Sequence, residues 1–217
     1  MSYWLDLIGS YIIGGTVILM IVGLNVYISN SAADNLYTNI AQSNITTTNE
    51  IIHNDFYKIG YKVPGDKIVI ADSNQIKFYS DIDNNGTIDS IYYYTGEISQ
   101  LTSTQNPNDK LLYRVFNNSS ALSSNAVVDF KLIYFDSTGA NISYASLLNQ
   151  SVRNNIRSIQ IFIRVESPAP VDGVYQAAEW QEKIIARNTF PGITNNNKKN
   201  NGSEDFTSDG DNGDADD

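Results

Sequence analysis

Residues 7–28 form a continuous apolar stretch, LIGSYIIGGTVILMIVGLNVYI, that contains no charged side chain. About 22 residues extend about 33 Å in an α-helix, enough to cross a hydrocarbon core of about 30 Å. Glycines weaken a helix in water, but in a membrane they allow two helices to approach closely. Residues 1–28 are therefore predicted to contain a single-pass transmembrane helix. The glycines of this stretch are Gly9, Gly14, Gly15 and Gly23.

A buried core helix and a cleaved signal peptide are the alternatives to a retained anchor. The small residues Ser31, Ala32 and Ala33 would suit a cleavage site. However, residues 1–6 contain no Lys or Arg, and the apolar run exceeds the ~7–15 residues usual in signal peptides. We expect a retained anchor. We place the rest of the chain outside the cytoplasm because it is rich in Asn, Ser, Thr and Tyr.

Residues 29–60 show a one-sided apolar pattern that continues the first helix. No Pro or Gly occurs between residues 24 and 59, so about 50 residues are predicted to form one helix. A local break at residues 46–49 (TTTN) is the alternative, since these residues have weak helix propensity. We expect the apolar face to pack on a β-rich domain. This face is formed by Leu36, Ile40, Ile45, Ile51, Ile52, Phe56 and Ile59.

Residues 61–193 contain short β-type runs separated by turn signals such as Pro64-Gly65 and Asn85-Gly86. The run 156–166 shows the clearest alternation of apolar and polar positions. The fold class is therefore predicted to be α+β, with a long N-terminal α-helix packed on an antiparallel β-sheet. The runs are 67–71 (KIVIA), 75–80 (QIKFYS), 87–94 (TIDSIYYY), 111–116 (LLYRVF), 126–136 (AVVDFKLIYFD) and 156–166 (IRSIQIFIRVE), and 174–187 is expected to add a strand or a short helix.

The charge of the chain is concentrated near its C-terminus. The net charge is −10, and residues 194–217 carry about half of it. This segment is rich in Asn, Gly and Asp and lacks apolar residues for a core, so we predict a disordered acidic tail. An acidic chain repels phosphate backbones, so we expect no nucleic-acid partner.

The composition also argues against most catalytic chemistries. The chain has no Cys and one His, His53, and contains no Gly-rich phosphate loop. Thiol nucleophiles and Cys-based metal sites are therefore excluded. His53 lies on the predicted amphipathic helix, where we expect a structural role. No pair of general acid and base stands out, and we expect that the protein is not an enzyme.

The sharpest local motif is an acidic loop at residues 81–89, DIDNNGTID, which matches the front of a calcium-binding loop. Gly86 permits the tight turn, and Ile88 would anchor the loop in the core. At the twelfth position the motif requires a bidentate Glu, but this chain has Tyr92. The alternative is a plain hairpin turn, since Asn85-Gly86 between two strands favours a hairpin by itself. The candidate calcium ligands are Asp81, Asp83, Asn85, Thr87 and Asp89.

This organisation resembles the superfamily of type IV pilins and type II secretion pseudopilins, especially its larger minor members. In residues 54–61, NDFYKIGY is similar to the family's end of the long helix, where an acid, an apolar residue and a Gly follow one another. Residues 67–72, 75–83 and 86–94 are similar to the hairpin that comes next in that family. The motif resemblance covers about 45 residues, whereas the architectural resemblance extends over about residues 2–190.

The resemblance implies an assembly role for the N-terminus. Pilin precursors carry a basic leader that ends in Gly and a Glu at the fifth mature position; no such leader precedes the apolar run here. If Met1 is removed, Asp6 occupies the fifth position and Ser2 supplies the N-terminal amine. By the resemblance, Asp6 would pair with the amine of a neighbouring Ser2; the alternative is that Asp6 lies unpaired at the membrane surface.

The resemblance also implies the function. It predicts a minor pilin or pseudopilin that assembles through its apolar helix into an extracellular filament or secretion pseudopilus. The expected partners are copies of itself or other pilin-like subunits, the bacterial inner membrane and the filament assembly machinery, with the β-rich domain in the periplasm or outside the cell. The alternative is a single-pass envelope protein, outside any filament, whose β-rich domain binds a ligand or partner.

Overall fold

The computed structural model describes residues 2–101, 103–119 and 122–189. Its first element is one uninterrupted helix, α1 (Ser2–Tyr57). The predicted alternative of a break at residues 46–49 is wrong. The hydroxyls of Thr46 and Thr47 donate hydrogen bonds to the carbonyls of Gln42 and Ser43, at 2.8 and 3.1 Å, and thus satisfy themselves within the helix. The predicted acidic tail, residues 194–217, lies outside the described residues.

The β-rich part consists of two antiparallel sheets rather than one. Sheet A has the strand order β1-β2-β3-β4-β5, and sheet B has the order β7-β6-β8-β9. A short helix, α2 (Gln150–Arg153), precedes β8. The strands of sheet A are β1 (Ile68–Ala71), β2 (Gln75–Ser80), β3 (Asp89–Thr95), β4 (Lys110–Phe116) and β5 (Leu122–Val127). Those of sheet B are β6 (Asp129–Phe135), β7 (Asn141–Ile142), β8 (Ser158–Glu166) and β9 (Ala177–Ile185).

The division into two sheets occurs within a run that the sequence pattern presents as one strand, residues 126–136. Val127 is buried, and after it Phe130, Leu132 and Tyr134 are buried. A strand that buries odd-numbered positions cannot continue by burying even-numbered ones, because side chains alternate between its faces. The chain therefore turns at Val128: β5 pairs with β4 in sheet A, and β6 pairs with β8 in sheet B.

Among the described residues, only the C-terminal half of α1 packs on the sheets. Leu36 and Ile51, which were expected on the packed face, are 57% and 43% exposed, so that part of the prediction is wrong. Phe56 lies near the centre of the interface, with ring centroids 5.6 Å from Phe78 and 5.7 Å from Tyr93. The buried face consists of Ala41, Ile45, Thr48, Ile52, Asp55, Phe56 and, just beyond the helix, Ile59.

The long N-terminal helix, the antiparallel sheets and the α+β class are confirmed. Strand β8 has the predicted alternation, since Ile159, Ile161, Ile163 and Val165 are all buried. The predicted segment 174–187 contains a strand, β9 (Ala177–Ile185), and not a short helix. This strand runs beside α1, so that the connection between β8 and β9 lies near residues 30–34 of the helix.

Candidate functional site

The N-terminal half of α1 is apolar and faces solvent on all sides. It contains the 18-residue window of mean hydropathy 2.2 that makes α1 long and apolar enough to cross a membrane, and none of that window is buried in the chain. This half therefore has no packing partner within the described part of its own chain. Its exposed large side chains include Trp4, Leu5, Ile8, Ile12, Ile13, Leu19, Met20, Leu24 and Ile28.

The two predicted assembly residues lie at the start of this half. Ser2 is the first residue of α1, and Asp6 follows one turn later with an exposed side chain. Residues four apart in a helix lie on the same side, so the carboxylate of Asp6 projects on the side where the helix begins at Ser2.

The acidic loop connects β2 to β3, two inner strands of sheet A, and lies near the C-terminal end of α1. Ligand oxygens of Asp81, Asp83 and Asp89 lie within 4.8 Å of one another. Asn84 and Gly86 have φ angles of 62° and 87°, which give the tight turn predicted for this position. Three of the five predicted ligands are thus brought together by the turn.

Asp81 is the buried member of the cluster. One of its carboxylate oxygens, Oδ2, accepts hydrogen bonds from the Lys62 ammonium at 2.7 Å and from the Gly86 N–H at 3.0 Å. The other oxygen, Oδ1, is buried without a hydrogen-bond partner. The hydrogen bond from Lys62 lowers the pKa of Asp81, against the effect of burial, and the Gly86 N–H lowers it further. Asp81 is therefore a buried carboxylate with one oxygen free to accept.

The other predicted ligands hold the turn together. Asp83 accepts hydrogen bonds from the backbone N–H of Asn85 at 3.1 Å and from its side-chain amide at 2.8 Å. The side-chain oxygen of Asn85 accepts from the Thr87 N–H at 2.7 Å. Asp89 accepts from the Asn117 amide at 2.6 Å. The bonds of Asp83 and Asn85 are those expected of a self-supporting hairpin turn. The bond from Asn117, which follows β4, joins Asp89 to the neighbouring connection.

Two further observations bear on the predicted calcium site. Lys58 donates to the carbonyl of Ile82 at 2.8 Å, so two lysines, with Lys62, contribute positive charge to the loop. Ile88 is 38% exposed, so the prediction that it anchors the loop in the core is wrong. The oxygen donors of the loop, including the unpartnered oxygen of Asp81, suit Ca²⁺. The ammonium of Lys62 would compete with Ca²⁺ for the negative charge of the Asp81 carboxylate.

A second polar cluster fixes α1 to sheet A and was not identified from the sequence. Asp55, on the buried face of the helix, accepts hydrogen bonds from Arg114 at 2.6 and 3.1 Å and from the Tyr93 hydroxyl at 2.6 Å. Burial, followed by the charge of Asp55, raises the pKa of Tyr93 well above its ordinary value. The position of Asp55 on the apolar face of an amphipathic helix could have revealed this cluster, because a buried carboxylate requires a cation as its partner.

His53 has a surface role in the structure. Its Nδ1 lies 2.9 Å from the Glu182 carboxylate on β9, and its ring stacks on Tyr57 at 6.3 Å. Its side chain is 51% exposed. His53 thus joins the outside of α1 to sheet B, and its neighbours are those of a structural contact.

Comparisons with known proteins give no relative on which the function of these sites can be based. No protein-family model matches the chain, and no curated protein or solved structure matches it.

Proposed function

We propose that this protein is a pilin-like structural subunit, of the minor pilin or pseudopilin kind, that assembles through the N-terminal half of α1. The observation that carries the proposal is the division of one helix into two halves. The half beyond residue 30 is built into the β-domain, whereas the first half exposes apolar side chains all round. A helix of this kind needs a membrane before assembly and other helices after it.

The glycines support contact between helices. No atom lies within 4 Å of a Cβ built on Gly9, Gly14, Gly15 or Gly23, so a neighbouring helix has free access to these positions. Small residues allow helix backbones to approach closely in lipid, where packing rather than the hydrophobic effect drives association. In this proposal Asp6 pairs with the amine of a neighbouring Ser2, which neutralises an acid that would otherwise be costly inside an apolar bundle.

The competing proposal is a single-pass envelope protein that works alone. To separate the two, residues 7–28 are replaced by an unrelated apolar segment of equal length, and the full-length protein is purified from host membranes. If the chain is a filament subunit, co-purification of other pilin-like subunits is lost although the protein still inserts into the membrane. If the replaced chain retains all its partners, the assembly proposal fails and the stand-alone anchor is favoured.

A finer test addresses Asp6. We expect Asp6→Asn to reduce the recovery of assembled subunits about tenfold or more, since an unpaired amine and amide replace an ion pair in an apolar bundle. Glu50→Gln is the matched control, because it removes an exposed acid from the docked half of the same helix. Equal recovery for both variants would restrict Asp6 to a surface position.

We propose in addition that the acidic loop binds Ca²⁺ in competition with Lys62. The buried, unpartnered oxygen of Asp81 favours this proposal over a plain turn. Calorimetric titration with CaCl₂ is expected to show tighter binding in Lys62→Met than in the unmodified chain. Lys77→Met, which alters a lysine on β2, is the control and should change nothing. Traces without heat for both the unmodified chain and Lys62→Met would leave only the hairpin turn.

A further inference from the structure

The connection between β8 and β9 is fastened to α1 just beyond its apolar half. The side-chain amide of Asn30 lies 3.0 Å from each carboxylate oxygen of Asp172. One turn further along the helix, Asp34 accepts a hydrogen bond of 2.9 Å from the Gln176 amide. These contacts set the level of the β-domain along the helix axis.

That level can be related to the membrane through two exposed aromatic residues of α1, Trp4 and Tyr27. Trp4 and Tyr27 are 73% and 71% exposed. They lie about 35 Å apart along the helix axis, which matches the two interfaces of a bilayer with a hydrocarbon core of about 30 Å. Trp and Tyr prefer these interfaces. Asn30 lies about 4–5 Å beyond Tyr27 by the helix rise, within a headgroup layer about 5–8 Å thick.

The segment at this level has an unusual composition for the domain. Residues 168–175, which we call the membrane-facing turn, have the sequence PAPVDGVY. Asp172 is their one charged residue, and Asn30 binds its carboxylate. Val174 is 60% exposed although apolar, and Tyr175 donates a hydrogen bond of 3.1 Å to the carbonyl of Gln105. An exposed apolar side chain beside a turn that is fastened at headgroup level suits a lipid surface.

The turn is also built to keep its shape. Val171 and Val174 form an antiparallel bridge, and Asp172 and Gly173 between them have φ angles of 48° and 80°. Such a tight turn projects Val174 without needing a partner to order it. The segment contains no Lys or Arg, so attraction to anionic lipid has no basis here.

From these observations we infer that the membrane-facing turn rests in the headgroup layer of the bilayer that α1 crosses, with Val174 inserted among zwitterionic phospholipids. The contact between Asn30 and Asp172 holds the turn at that depth. The inference concerns the subunit while it resides in the membrane. It rests on membrane anchoring by α1 but not on filament assembly, so failure of one leaves the other standing.

The absence of Cys allows a direct test with single labels. Full-length Val174→Cys is labelled with an environment-sensitive fluorophore and reconstituted into phosphatidylcholine vesicles that contain nitroxide-headgroup lipid. Leu148→Cys is the matched control, because Leu148 is 85% exposed. It precedes α2, in which Gln150 donates a hydrogen bond to the carbonyl of Ile68. The neighbouring Lys67 lies against Gly60, just beyond the end of α1 that is far from the membrane. We expect several-fold stronger quenching and a blue-shifted emission for the label at position 174.

Two further arms test the depth and the lipid chemistry. Asn30→Ala is expected to reduce quenching at position 174, whereas Asn39→Ala, an exposed position on the same helix, should not. Addition of phosphatidylglycerol should not increase the quenching. Equal quenching at positions 174 and 148 would overturn the inference, as would quenching that appears only with anionic lipid. Unchanged quenching in Asn30→Ala would show that this contact does not set the depth.

Discussion

Residues 3–28 and 30–57 belong to the same helix, yet their surroundings differ completely. The first half has apolar side chains on every side and no packing partner in the described chain, whereas the second buries one mixed face against both sheets. The first half therefore depends on a membrane or on other helices for its stability. The second half is part of the cooperative β-domain, and substitutions in the two halves should be detected by different measurements.

The largest effect is expected where the docked half is most buried. Phe56→Ala removes a fully buried ring between Phe78 and Tyr93 and should lower the free energy of unfolding by about 4 kcal/mol. Urea unfolding of the full-length chain in detergent, followed by near-UV circular dichroism, measures it. Leu36→Ala on the same helix is the control; Leu36 is 57% exposed, so the change should stay within about 0.5 kcal/mol. Similar losses for both variants would mean that the helix is not docked as described.

The next effect tests the polar part of the same interface. Asp55→Asn leaves Arg114 without its counter-ion and should cost about 3 kcal/mol, because one partner of a buried pair is removed. The double variant Asp55→Asn, Arg114→Met should recover part of that loss. A double-mutant cycle from urea unfolding separates this coupling from packing. If the double variant is as unstable as the sum of the single ones, the pair does not fasten the helix.

The same contrast explains which elements were predictable. The apolar half was evident because a membrane span needs only length and uniform apolarity. The docked half was recognised as a helix, but its face was partly misplaced. Ala41, Thr48 and Asp55 are buried there, while Leu36 and Ile51 are exposed. A small residue such as Ala41 is buried where the helix backbone lies close to a sheet. The spacing of hydrophobic residues in the sequence does not show where such close approach occurs.

The acidic loop shows a similar limit. The turn and the convergence of Asp81, Asp83 and Asp89 followed from the motif, since their spacing within one loop brings them together. Lys62 was not predicted to enter the site. Lys62 lies beyond the end of α1 and has a φ of 59°. A lysine rarely adopts this left-handed backbone conformation, so nothing in the residue pattern gave a reason to expect it. The division into two sheets was likewise not predictable. Burial changes from an odd-numbered position, Val127, to an even-numbered one, Phe130, and this change is visible only in the folded chain.

A buried acid without a cation provides a smaller and opposite effect. Asp109 is 1% exposed, and its carboxylate oxygens have no hydrogen-bond partner of good geometry in the described chain. Burial raises the pKa of Asp109, and the neighbouring Thr104 hydroxyl opposes that shift more weakly. A raised pKa means that ionisation of Asp109 destabilises the fold at neutral pH and that this penalty disappears as the carboxyl becomes protonated. Asp109→Asn should therefore stabilise the protein by about 1 kcal/mol at neutral pH.

The pH dependence distinguishes this effect from a simple change in packing. Below the ordinary carboxyl pKa of 3.8 the Asp109 side chain is protonated in both folded and unfolded chains, so the advantage of Asp109→Asn should vanish there. Urea unfolding at a series of pH values measures it. A gain that is independent of pH would indicate a change in packing rather than the removal of a buried charge.

The smallest effect concerns the outside of the docked half, where His53 meets Glu182. Both side chains are largely accessible, at 51% and 35% exposure, and exposed pairs contribute little because water competes for both groups. His53→Gln should change the free energy of unfolding by no more than about 0.5 kcal/mol, and Glu182→Gln by a similar amount. A double-mutant cycle at low and high salt measures the coupling, which should shrink with salt. A coupling as large as that between Asp55 and Arg114 would mean that the exposed side of α1 also contributes to docking. The docked half of α1 would then be held to the sheets by both its buried and its exposed faces.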